Sequence, residues 1–270
     1  MTAIQRSEIK INPNDKLGEG SFGAVYKGKY QGEDVAIKII NYNIEHEHIQ
    51  REPFYMAMVS GHANFVKLHA VVMEKTETLL VMEYIDGGSL FRFLHNTKEE
   101  LTYSQAINLL CQAAEALAYL HAISERPVIH RDVKSLNMLV DAERKSLKIC
   151  DFGFVRQSGT EMTEKRGTPV YMAPEVFKGK MYTSKCDVYS MGITIWEVLA
   201  RKIPYYNLKK ELQIKYIIEI DKGLRPSLDD LKFDCPDQLK TFIQRCWDKD
   251  PNVRPTMQQV VHELRKHKNV

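Results

Sequence analysis

His130-Arg131-Asp132-Val133-Lys134-Ser135-Leu136-Asn137 sets a carboxylate, a cation two residues on and an amide five residues on within one short loop. That set suits work on a phosphoryl group. Asp132 can orient an attacking hydroxyl and take its proton. Lys134 can neutralise charge on the moving group, and Asn137 can ligate Mg²⁺. Read with no context, the same eight residues also fit a charged surface turn.

Further along lies Asp151-Phe152-Gly153, behind the apolar-rich segment Ser146-Leu147-Lys148-Ile149-Cys150. A carboxylate at a strand end suits a metal that bridges phosphates. Ala173-Pro174-Glu175 closes the segment that starts there. Upstream, Leu17-Gly18-Glu19-Gly20-Ser21-Phe22-Gly23-Ala24-Val25 is a glycine-rich loop flanked by strand formers. A dinucleotide-binding turn needs a helix after the glycines, and here a second strand follows. Such a loop can fold over phosphates and offer backbone N–H groups, though a plain hairpin turn fits it equally well. In Val35-Ala36-Ile37-Lys38, strand alternation sets Ala36 and Lys38 on one face. The small residue leaves room for a flat adenine and the ammonium can reach phosphate oxygens; an exposed strand lysine is the alternative.

Five motifs in this order resemble the protein-kinase family over nearly the whole chain. The resemblance implies an α+β, bilobal protein kinase fold spanning residues 1–270. A small strand-rich N-lobe would take about 1–83, a hinge 84–88 and a larger helical C-lobe 89–270. It implies transfer of the γ-phosphoryl of ATP, with Mg²⁺, the nucleotide lying between the lobes. Asp132, Lys134, Lys38 and Glu52 would be the catalytic set, and Asn137 and Asp151 the metal ligands. Leu17, Gly18, Gly20, Gly23, Val25, Ala36, Lys38, Met82, Glu83, Ile85 and Leu139 would hold the nucleotide, with Met82 as gatekeeper and Glu83-Tyr84-Ile85 as hinge. Asp187 would brace the catalytic loop, and Arg254 would pair with Glu175.

Lys134, two residues after the base, and Gly167-Thr168-Pro169-Val170-Tyr171-Met172 are similar to serine/threonine kinases. Gly61-His62-Ala63-Asn64, Val81-Met82-Glu83-Tyr84, Met172-Ala173-Pro174-Glu175-Val176-Phe177 and Arg245-Cys246-Trp247 resemble the transforming-growth-factor-β-activated kinases, which are MAP kinase kinase kinases. That implies protein substrates bearing Ser or Thr, namely MAP kinase kinases, and an activating adaptor protein. Thr160 and Thr163 resemble paired regulatory threonines, with Ser158 behind them; phosphate there would dock on Arg131. No adaptor-binding tail is expected within these residues. Val133 and Ser135 stand where the family commonly has Leu and Pro.

The helix that should carry the lysine's partner departs most. Glu52 lies 14 positions after Lys38, the separation the resemblance implies. Counting back from His62 instead lands on Pro53, as if one residue were inserted. Proline inside a helix removes a hydrogen bond, and extra residues are often taken up as π-bulges. A kink or bulge within a turn of Pro53 is therefore expected, with Met56 still facing the core. Glu45 and Glu47 are the competing partners.

Composition is ordinary for a globular chain: 270 residues, 44% hydrophobic and 27% charged. A net charge of +3, with no run of like charges, argues against nucleic acid as partner. Five cysteines without a CxxC pair suggest neither disulfides nor zinc, so a reduced, cytoplasmic or nuclear setting fits, and cytoplasmic is the expectation. No apolar run approaches the roughly 20 residues that span a bilayer, so no membrane insertion is expected.

Overall fold

The computed structural model describes residues 2–20, 23–41, 46–157, 169–179, 183–208 and 213–268. They form two compact units. The first takes the chain up to Asp86 together with Cys150–Val155, and the second takes Gly87–Ile149 and the chain from Arg156 onward.

The first unit is built on one sheet. Its strands are β1 (Thr2–Ala3), β2 (Ile9–Gly20), β3 (Gly23–Tyr30) and β4 (Glu33–Asn41), then, after helix α1 (His46–Met58), β5 (Leu68–Met73) and β6 (Glu77–Glu83). The order across the sheet is β1-β5-β6-β4-β3-β2, antiparallel except where β1 lies parallel to β5. β3 and β4 join through Gln31 and Gly32, both at positive φ (51° and 86°). Two such residues make the hairpin turn whose twist matches the flanking strands. One sheet face carries the core residues Ile9, Val35, Ile37, Ala70, Val72, Leu79 and Val81. On the other, cross-strand pairing sets Val25 opposite Lys38 and Ala36 opposite Met82. This alternation brings Val25, Ala36, Lys38 and Met82 to one face.

Of the kink or bulge expected in α1, the bulge is absent. The helix is α-helical from His46 to Met58 with Pro53 inside it. Pro53 forgoes the hydrogen bond to the Ile49 carbonyl, and the ladder resumes beyond it: Val59 N–H reaches the Tyr55 carbonyl at 3.1 Å. Tight turns follow, with Ser60 N–H on Ala57 and His62 N–H on Val59. An added residue can be absorbed there without widening the helix. Met56 is buried, as expected.

The second unit is mainly helical. It comprises α2 (Leu90–Asn96), α3 (Tyr103–Ala122), β7 (Val128–Ile129), β8 (Met138–Val140), β9 (Leu147–Ile149), β10 (Arg156–Gln157), α4 (Pro174–Phe177), α5 (Lys185–Ala200), α6 (Gln213–Lys222), α7 (Asp237–Cys246) and α8 (Met257–Lys266). Thr102 opens α3 and Thr256 opens α8 through capping boxes with Gln105 and Gln259. Behind those caps, Ala106, Leu109, Leu110, Ala113, Leu117 and Leu120 are buried along one stripe of α3, and Met257, Val260, Val261 and Leu264 on α8. α5 is buried on all sides from Cys186 to Ala200, which makes it the post around which the unit packs.

One assignment differs from the sequence reading. Cys150–Val155 was expected in the C-lobe, yet it packs with the first unit. The physical reason is a pair of contacts: Asp151 meets Lys38 at 2.9 Å, and the Phe152 ring lies 5.5 Å from that of Phe65. Among the described residues, no helix is long and apolar enough to cross a membrane.

Candidate active site

In the first unit the centre is Lys38, 5% exposed. Its ammonium donates to both Glu52 oxygens, at 2.7 and 2.9 Å, and to Asp151 Oδ1 at 2.9 Å. β4 supplies the lysine, α1 the glutamate, and the chain just after β9 the aspartate. Burial works against the ammonium, but the Glu52 and Asp151 carboxylates outweigh it and hold its pKa above the usual lysine range. Burial pushes the Glu52 carboxyl up, Lys38 pulls it back, and Asp151 pushes it up again. Asp151 itself has φ 64°, a left-handed backbone that aspartate tolerates better than most residues. Of the competing partners, Glu45 lies outside the described residues, as do Ser21, Phe22, Ser158, Thr160, Thr163 and Thr168.

The remaining nucleotide candidates of this unit lie on or beside the sheet. Gly18 pairs with Val25, and Gly20 with Gly23. A Cβ at Gly18 would meet nothing within 4 Å, so protein packing does not require glycine there. At Gly23 the reverse holds: φ is +151° and a Cβ would sit 1.9 Å from the Ile39 carbonyl oxygen. Leu17 is 45% exposed at the end of the sheet, whereas Met82 is buried on β6. Glu83 closes β6 and commits its N–H to the Lys67 carbonyl at 2.9 Å, with Ile85 half-buried two residues on.

In the second unit the His130–Asn137 loop forms a tight cluster. Lys134 Nζ donates to Asp132 Oδ2 at 2.7 Å. Asn137 Nδ2 donates to the same oxygen at 2.8 Å and to the Asp132 carbonyl at 2.9 Å. A short 3₁₀ turn over Ser135–Asn137 makes this possible, because it folds the amide back over the aspartate. Leu139 follows on β8, half-buried and bridged to Ser89.

Asp187, at the start of α5, holds the loop from beneath. Its oxygens accept the backbone N–H groups of His130 and Arg131, each at 2.8 Å, and the Nε2–H of His121 at 2.9 Å. Arg131 stands at φ 70°, a strained backbone directly before the candidate base that those bonds keep in place. Glu175 and Arg254 form a two-bond pair at 2.7 and 2.9 Å. That fork geometry is the strong form of a carboxylate–guanidinium contact. The pairing of Lys38 with Asp151 and the part played by His121 escaped the sequence reading. No spacing rule connects residues so far apart.

The protein kinase domain model matches residues 11–264, and the chain belongs to that family. Its strand-rich and helical units are those of the α+β kinase fold, and membership implies use of ATP. The chain is 40% identical over 265 residues to mitogen-activated protein kinase kinase kinase 7 of Drosophila melanogaster, covering 97% of this chain and 38% of the relative. It is 38% identical over 261 residues to the protein of the same name from Homo sapiens, covering 96% of this chain and 41% of the relative. The chain thus spans about two fifths of the length of these relatives.

Proposed function

We propose that this chain is the catalytic domain of a serine/threonine protein kinase, a MAP kinase kinase kinase that passes the γ-phosphoryl of ATP to MAP kinase kinases. The observation that carries the reading is the loop cluster in which Lys134 and Asn137 both close on Asp132 Oδ2. In this reading Asp132 orients the substrate hydroxyl and accepts its proton, and Lys134 neutralises charge on the transferring group. Lys38, held by Glu52, steadies the phosphates of ATP.

Asn137 and Asp151 are assigned to Mg²⁺, and their oxygen donors suit that hard cation. Val25, Ala36, Met82, Leu17 and Leu139 are the apolar contacts assigned to adenine, with Glu83 and Ile85 as its hydrogen-bonding hinge. Gly18, Gly20 and Gly23 are assigned to the phosphates. Thr163 first, then Thr160 and Ser158, are the sites whose phosphate would dock on Arg131 and order the segment. An activating adaptor protein and a cytoplasmic setting go with this reading.

The test is phosphotransfer from MgATP to a purified MAP kinase kinase and to a generic protein substrate, with Asp132→Asn as control. Phosphate on Ser or Thr of the MAP kinase kinase, absent with the control, is expected. Transfer to tyrosine alone, or to neither protein, would overturn it.

A further inference from the structure

Ser135 sits inside the catalytic loop, between Lys134 and Asn137, and is fully buried. Its hydroxyl donates to Glu197 Oε1 at 2.8 Å. Glu197 lies near the end of α5 and is itself 0% exposed. The same oxygen meets His95 Nε2 of α2 at 2.9 Å. A carboxylate only accepts, so His95 presents its Nε2–H there. A third segment arrives from the stretch before Ala173-Pro174-Glu175. Burial first, and the neighbouring Glu197 carboxylate second, push the Tyr171 phenol well above its usual range. The Tyr171 carbonyl in turn accepts the Ser190 hydroxyl of α5 at 2.7 Å. One buried carboxylate on the central helix therefore bonds both α2 and the catalytic loop.

A buried carboxylate is costly unless its partners are fixed; Glu197 Oε2 has no hydrogen-bond partner, so the hold of this cluster rests on the two bonds at Oε1. That hold matters here because of where Ser135 stands. It is the first residue of the 3₁₀ turn that folds Asn137 onto Asp132, and it directly follows Lys134. A shift of that turn moves both side chains that close on the base. A misplacement of about 1 Å is enough to lose about 10²-fold in rate.

We infer that Ser135 and Glu197 are positioning residues for phosphoryl transfer: the Glu197 carboxylate holds the Ser135 hydroxyl and so aims Lys134 and Asn137 at Asp132. The inference rests on the kinase reading above. A merely structural role would lower stability without separating kcat from KM.

The experiment compares steady-state kinetics and thermal unfolding of the wild-type chain, Ser135→Ala, Glu197→Gln and the double variant. Wild-type turnover is measured first, and an inactive wild type overturns the kinase reading along with this inference. Ser135→Ala is expected to lose about tenfold in kcat, about 1.4 kcal/mol, with KM for ATP near wild type. The double variant should be no slower than the slower single one, because the two side chains act as a unit. Should Glu197→Gln fail to fold, Ser135→Ala decides alone. An unimpaired Ser135→Ala in an active wild-type background, or losses that multiply in the double variant, would overturn the inference.

Discussion

Asp132 and Asp151 carry the same side chain in different surroundings. Asp132 faces a cation and an amide of its own loop, whereas Asp151 faces the buried ammonium of Lys38. In the proposed mechanism each carboxylate has a job that asparagine cannot do. Asp132→Asn should lower kcat by about 10²–10⁴-fold with ATP binding intact. Asp151→Asn should abolish turnover and also weaken Mg²⁺-dependent nucleotide binding, read by calorimetry with and without the metal. Full turnover in Asp132→Asn would remove it as the base. For the lysine partner, the discriminating set is Glu45→Gln, Glu47→Gln and Glu52→Gln. Only Glu52→Gln should lose activity, by at least about tenfold. If Glu52→Gln keeps full turnover, the enzyme does not depend on the ion pair.

These residues were readable in the sequence because each stands in a local pattern: a loop octet, a strand tetrapeptide, a tripeptide behind an apolar run. Glu197 was not. Its partners Ser135 and His95 lie 62 and 102 positions away, and no local period connects them. The departure at Ser135 was visible, but its meaning needs the buried carboxylate it faces.

Among the elements, α1 shows most clearly where pattern reading stops. The 14-residue separation from Lys38 pointed at Glu52, and the structure sets the two side chains together. The proline beside it suggested a kink or a bulge, and the bulge does not form. A helix already held by a buried ion pair and by Tyr55 and Met56 in the core can forgo one backbone bond. Pro53→Ala should regain about 3 kcal/mol of helix propensity and lose about 0.8 kcal/mol for each buried CH₂ removed. A net gain of about 1 kcal/mol, seen as a Tm higher by about 2–4 °C, is expected. A lower Tm would mean that the ring's packing outweighs the missing bond. Gly192 of α5 tests helix packing in the opposite direction. A Cβ there would lie 2.8 Å from Cys246 Cβ of α7, and both atoms are fixed to backbone. Gly192→Ala should therefore destabilise by about 1–3 kcal/mol in thermal unfolding. An unchanged Tm would show that the two helices can slide apart freely.

For the molecule as a whole, acid sensitivity follows from Asp187. Burial alone would raise its carboxyl, but the hydrogen bond from His121 and the backbone N–H of His130 hold it below its ordinary value of 3.8. The folded state thus binds this proton more weakly than the unfolded chain. The carboxylate's contribution is complete above the unfolded value and is lost as pH falls through the folded one. Stability of the wild-type chain should drop as pH falls below about 4, and Asp187→Asn should flatten that limb. A parallel acid limb in the variant would place the sensitivity elsewhere. The two-unit plan itself was foreseeable from strands giving way to helices near Glu83. The allegiance of Cys150–Val155 was not, since it depends on contacts with Lys38 and Phe65.

That allegiance bears on how the chain is made. The first unit is discontinuous, so a ribosome that has released the chain up to Asp86 has not yet supplied Asp151 or Phe152. All of Gly87–Ile149 must be translated first. At about 5–20 residues per second that is a wait of about 3–13 s, during which Lys38 and Phe65 lack those partners. The first unit is therefore completed only after Gly87–Ile149 has emerged, although its sheet needs nothing beyond Glu83, and a nascent chain stalled before Cys150 should expose Phe65 to chaperones.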